Sequence, residues 1–90
     1  NKVDNFKIYQ NYPNPFNPIT CIEFEIFSSD NIVMTIYDIN GNIVKNLVNG
    51  FYNPGQYKVY WNANNHSSGI YFYDISISNR IIRNKMMLMK

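Results

Sequence analysis

Residues 20–27 read TCIEFEIF, and the chemistry changes sides at every step. Thr20, Ile22, Phe24 and Ile26 fall on one side, Cys21, Glu23 and Glu25 on the other. Successive strand side chains point to opposite faces, so this period of two predicts a half-buried strand with its carboxylates in water. Working outward, residues 31–38, NIVMTIYD, repeat the pattern with Ile32, Met34 and Ile36 directed inward. The run ends at DINGNIV, where Asn40-Gly41 is the dipeptide favoured by a type I′ hairpin turn. A return strand from Asn42 to Val48 is therefore expected to pair with it.

The rest of the chain follows the same rule. NPGQ, residues 53–56, has Pro and Gly at the central positions of a type II turn. QYKVYWN, residues 56–62, then directs Tyr57, Val59 and Trp61 inward. NANNHSSG, residues 62–69, is a polar loop; IYFYDISIS, residues 70–78, alternates again with Tyr71, Tyr73, Ile75 and Ile77 on one face. SNR turns the chain into a last strand, IIRNKMMLMK, residues 81–90. With a short first strand near Phe6 to Tyr9 this makes about seven strands, and the expected fold is all-β, an immunoglobulin- or fibronectin-like antiparallel β-sandwich. The Cys…Trp…Cys spacing of antibody domains is absent, so the likeness is one of architecture.

Ninety residues, 46% hydrophobic and 17% aromatic, suffice for one globular domain over 1–90. A net charge of +2 is too small for a nucleic-acid partner. No apolar run reaches about 20 residues, the length of a membrane-spanning helix. Cys21 is the lone cysteine and reads as an ordinary packed thiol. The opening NKVDNFKIYQ has no signal-peptide apolar region, and the missing initiator Met leads us to expect the distal piece of a longer protein.

YQNYPNPFNPIT, residues 9–20, resists both regular structures. Pro13, Pro15 and Pro18 lack an N–H and push the preceding residues toward extended geometry. The segment is expected to cross the sandwich without pairing inside a sheet, while Phe16 and Tyr12 plug the open end of the core.

Catalytic chemistry is not expected. His66, the single histidine, lies in the polar loop and reads as solvated; Glu23 and Glu25 share a solvated strand face. DINGN lacks the glycine spacing and terminal Glu of a calcium loop. We expect no catalytic, metal or cofactor-binding residues.

Taken together, YQNYPNPFNPITCIEFEI, IVMTIYDINGNIVKNL, PGQYKVYWN, SGIYFYDI and the terminal KMMLMK resemble the type A C-terminal sorting domain of the bacterial type IX secretion system. The match runs in order from Ile8 to Lys90. That family overlaps in fold with the immunoglobulin-like domain of the flagellar hook-capping protein. The resemblance implies a module that follows a covalent N-terminal cargo, folds in the periplasm in transit, is read by the type IX translocon and is cut off by a sortase-like peptidase. The cargo then reaches the cell surface or the medium. By resemblance, the residues read by the translocon are Pro13, Asn14, Pro15, Phe16, Asn17, Pro18, Asp38, Gly41, Gly69, Tyr71, Lys85, Met87, Met89 and Lys90.

Most of these positions also have a plain structural reading: Gly41 serves a turn, Asp38 caps it, Gly69 relieves the backbone before a strand and Tyr71 is core. The last strand is the exception. Met86 and Leu88 would face inward and Met87 and Met89 outward, beside an edge open to an added strand. Two other functions stay open. Tyr60, Phe72 and Phe51 would form a sugar-binding platform if they shared a plane, and a passive spacer would have the fold without export activity.

Overall fold

In the computed structural model, residues 6–90 are described; Asn1 to Asn5, the start of the expected 1–90 domain, lie outside the described residues. The alternating runs form β1 (Phe6–Ile8), β2 (Ile19–Ile26), β3 (Asp30–Asp38), β4 (Ile43–Tyr52), β5 (Gly55–Asn62), β6 (Gly69–Ile77) and β7 (Arg80–Leu88). They build two antiparallel sheets, ordered β1-β2-β5 and β4-β3-β6-β7. The fourth strand thus stays beside the third, where an immunoglobulin constant-type sandwich sends it to the other sheet.

The inward sets are those the alternation predicts. Thr20, Ile22, Phe24 and Ile26 from β2 face Ile32, Met34 and Ile36 from β3 and Tyr71, Tyr73, Ile75 and Ile77 from β6, all buried. On β5 only Trp61 is fully buried, while Tyr57 and Val59 are half-buried. Each fully buried large apolar side chain contributes about 1.5–3 kcal/mol by leaving water, which is what selects this register over one slipped by a residue.

Aromatic rings close both ends of the sandwich. At one end Tyr57 stacks on Phe24 at 5.4 Å and meets Tyr52 edge-on at 4.9 Å. At the other, Phe16 tilts against Trp61 at 5.7 Å, and Trp61 meets Tyr71 edge-on at 5.3 Å.

The connections differ from expectation in three places. At 38–42 the Gly41 N–H donates to Asp38 O and the Asp38 N–H to Asn42 O, each at 3.0 Å. Only Gly41 has positive φ, +86°, so the loop is a three-residue turn closed by a left-handed glycine, not the two-residue type I′ turn. The carboxylate of Asp38 decides the difference by accepting from the backbone of Asn40 and Asn42. The type I′ geometry occurs instead at Ser78 (φ 52°) and Asn79 (φ 62°), between the paired Ile77 and Arg80. β4 also runs on to Tyr52, because the start of β3 needs a partner: Asp30 pairs with Tyr52 and Ile32 with Gly50. Finally, Gly55 has φ +154°, well outside the range of the third position of a type II turn. There Pro54-Gly55 carries the chain from one sheet to the other, since β4 and β5 belong to different sheets.

Candidate functional site at the proline-sealed end

The proline segment fits its place because it satisfies its backbone one residue at a time. Tyr12 exchanges two hydrogen bonds of 2.9 Å with Cys21 on β2. Four residues on, the Phe16 N–H donates to Met87 O and Phe16 O accepts from the Met89 N–H, both at 3.0 Å, a parallel bridge to β7. The segment therefore does pair, once with each sheet, and stitches the two sheets together. All three X–Pro bonds, before Pro13, Pro15 and Pro18, are cis. Phe16 is the expected plug, 2% exposed, whereas Tyr12 is 79% exposed. The bridge to Cys21 accounts for Tyr12: Phe16 alone turns into the core, and the Tyr12 ring stays in solvent.

Beneath the prolines lies a polar knot. The buried Asn11 amide donates to Thr20 Oγ1 at 2.9 Å and to Pro13 O at 3.2 Å, and Thr20 Oγ1 donates to Pro13 O at 2.9 Å. These bonds replace the ladder that proline cannot make, since a buried polar group left unpaired costs about 1–3 kcal/mol. Neither Asn11 nor Ala63, buried where the Ala63 N–H donates to Pro18 O at 2.9 Å, stood out in the sequence. An asparagine among asparagines and a small residue in a polar loop carry no periodic signal.

The other expected residues collect at the same end. Asp38 Oδ1 accepts from the N–H groups of Asn40 and Asn42 at 2.9 Å each, and chiefly the Asn42 bond holds its carboxyl below the usual aspartate range. Asp38 pairs across the ladder with Tyr71, whose phenol is pushed up by burial and then by the Asp38 charge. The Tyr71 hydroxyl donates to Ser67 O at 2.7 Å, anchoring the 62–69 loop from below. Gly41 and Gly69, with φ of +86° and +151°, hold backbone conformations costly for other residues. Lys90 closes the loop from the outside: its Nζ donates to Asn64 O at 2.6 Å and His66 O at 3.0 Å, and its N–H to Ser68 Oγ at 2.9 Å. Asn14 Oδ1 accepts from the Met87 N–H at 3.0 Å, and Asn17 is exposed between Phe16 and Pro18.

β7 is an edge strand with Met86 and Leu88 buried and Met87 and Met89 turned outward. Its backbone is not open beside those methionines, however. Phe16 and Asn14 occupy Met87 and Met89, and the Gln10 side-chain amide donates to Lys85 O at 3.0 Å. Where this covering ends, an open groove of about 210 Å3 is lined by Asn14, Pro15, Ile70, Lys85, Met86 and Met87.

Two readings of single residues change. His66 is half-buried, its ring 5.6 Å from Trp61 and 6.4 Å from Tyr71, so it packs on the aromatic end rather than standing free in solvent. Tyr60 belongs to the three-stranded sheet, Phe51 and Phe72 to the four-stranded one, so the outward faces they occupy look in opposite directions and form no common sugar platform. Among the described residues no three His, Cys, Asp or Glu side chains gather as metal ligands, and no helix is long and apolar enough to cross a membrane.

A family model described as a secretion system C-terminal sorting domain matches residues 10–89. No curated protein matches. Among solved structures the chain is similar to the Pseudomonas fluorescens alkylpurine DNA glycosylase AlkC bound to DNA containing an abasic site analog, at 14% identity and a TM-score of 0.49, covering 96% of this chain and 31% of that one.

Proposed function

The chain belongs to the secretion system C-terminal sorting domain family, and from that membership we propose that its proline-sealed end is the face by which the type IX machinery reads it. The domain is a C-terminal sorting signal for type IX secretion, of the kind found on proteins exported to the cell surface or medium. The proposal adds the partners and the site: a translocon component that binds the folded domain, a sortase-like peptidase that removes it, and an N-terminal cargo that carries any catalysis.

One observation supports this reading above the others. Pro13 to Pro18, Lys85, Met87, Met89, Lys90 and the Asp38 turn lie at one end, fixed by hydrogen bonds from both sheets. A rigid, folded surface lets one translocon recognise many cargoes, because binding then costs little ordering of the signal. The sandwich itself performs no step on the cargo; it presents backbone and side chains in fixed positions.

The test fuses Asn1 to Lys90 behind a signal-peptide-bearing fluorescent reporter, in a type IX-competent bacterium and in an otherwise identical strain lacking the translocon. Reporter at the surface or in the medium of the competent strain alone is the expected result. Reporter held in the periplasm of both strains refutes the sorting reading for this chain.

A further inference from the structure

Antiparallel pairing leaves every second residue of an edge strand with its N–H and C=O pointing away from the sheet. On β7 the outward set is identified by the bonds it already makes, at Met87 N–H, Met87 O and Lys85 O. By the same parity, both backbone groups of Ile81 and Arg83 and the Lys85 N–H point outward. None of these five has a partner among the described residues. Among the described residues the edge is thus divided: residues 10–16 fill one half, and the half from Ile81 to Lys85 stays open.

The open half is equipped for recognition. Ile81 is 70% exposed. Arg83 is held by Asp74 at 2.6 Å, with its guanidinium 5.5 Å from the rings of Tyr37 and Phe72, so it stiffens the sheet face beside the edge. Lys85 has no carboxylate partner among the described residues. The groove of about 210 Å3 begins where the open half meets Pro15. It is smaller than the usual small-molecule site, a size suited to one anchoring side chain. Of the three other edges, two are less suited, and the third, β5, is the control tested below. β4 is bent by two register shifts and β1 spans three residues, both features that blunt strand addition.

We propose that the open half of β7, Ile81 to Lys85, receives an extended segment of the export machinery as an added strand, with an apolar side chain in the groove between Pro15 and Met87 and a carboxylate against Lys85. The inference rests on the sorting reading and specifies the contact within it. Main-chain bonds supply cargo-independent affinity, while the groove and Lys85 supply register and orientation.

The experiment uses the reporter fusion in the competent strain with four variants, each also purified for thermal melting. Ile81→Pro removes an outward N–H, a change that edge strands tolerate. Tyr60→Pro is the matching change on the β5 edge, where pairing with Cys21 turns the Tyr60 N–H outward as well. Lys85→Glu reverses the proposed charge contact and Lys85→Arg preserves it.

We expect export to fall at least about tenfold, equivalent to roughly 1.4 kcal/mol of lost contact, for Ile81→Pro and Lys85→Glu. Tyr60→Pro and Lys85→Arg should export like the unchanged domain. Unchanged export of Ile81→Pro and Lys85→Glu overturns the proposal, as does a Tyr60→Pro defect equal to that of Ile81→Pro. If Ile81→Pro melts markedly lower, Lys85→Glu decides, because its side chain is exposed and no buried group depends on it. Failure of the unchanged domain to export counts against the sorting reading itself and is therefore distinguishable.

Discussion

Truncating Phe16 to alanine tests whether the proline segment is a structural plug or a loose connector. The ring is 2% exposed, sits 5.7 Å from that of Trp61, and is flanked by backbone bonds to Met87 and Met89. A buried Phe→Ala change costs about 3–5 kcal/mol in transfer and cavity terms. At roughly 0.05–0.15 kcal/mol per residue, a domain of this length has about 5–13 kcal/mol in all, so the loss is a large share. At about 4–8 °C per kcal/mol, Tm should fall by at least roughly 12 °C. Urea unfolding should show the same loss at an unchanged slope, and hydrogen exchange should show the Met89 amide losing protection. Tyr12→Ala is the control: an exposed ring in the same segment should change stability by no more than about 0.5 kcal/mol. A Tm drop under about 4 °C for Phe16→Ala, or equal drops for both variants, refutes the plug.

Thr20→Val keeps the shape of the side chain but removes the hydroxyl between Asn11 and Pro13. It should cost about 1–3 kcal/mol in urea unfolding; a neutral result would mean the knot does not restrain the segment. Asp38 has a folded pKa below its ordinary value of 3.8, so its stabilisation is complete above that value and is lost as pH falls through the lower folded one. Tm followed from neutral pH downward should therefore decline less steeply in the acid range for Asp38→Asn than for the unchanged domain, and parallel curves would contradict the turn assignment. Lys90→Met removes the clamp on Asn64 O and His66 O, so amides in the 62–69 loop should exchange several-fold faster while those of β2 and β6 do not; uniform protection would show that the clamp does not hold the loop.

What could be read from the sequence, and what could not, follows from the range of the forces involved. Alternation is a local property enforced by a one-sided core, so TCIEFEIF and IYFYDISIS revealed both their strands and their inward residues. The inward turn of Phe16 was also legible, because a lone large apolar residue among prolines and asparagines has few other places to go. Turn type was less so. Asn40-Gly41 suits type I′, but the Asp38 carboxylate two residues earlier organised a longer loop, a competition between side chain and backbone that dipeptide preference does not contain. Least legible was the divided edge of β7. Its filled half depends on Gln10, Asn14 and Phe16 arriving from the far end of the chain, and nothing in KMMLMK announces them. The packing of His66 on Trp61 was hidden for a different reason: the two are close in sequence, but a polar loop carries no period that says which way its side chains turn.

The bond from the Met87 N–H to Asn14 spans 73 residues, and beside it Phe16 grips the same strand at both Met87 and Met89. The proline face therefore takes shape only after β7 has been made and docked. A chain truncated before Met87, however well folded its earlier hairpins, would leave Phe16 without its moorings and expose the plug. The face proposed for recognition doubles as a receipt for synthesis and folding: it exists only on molecules in which the proline segment and β7 have already found each other.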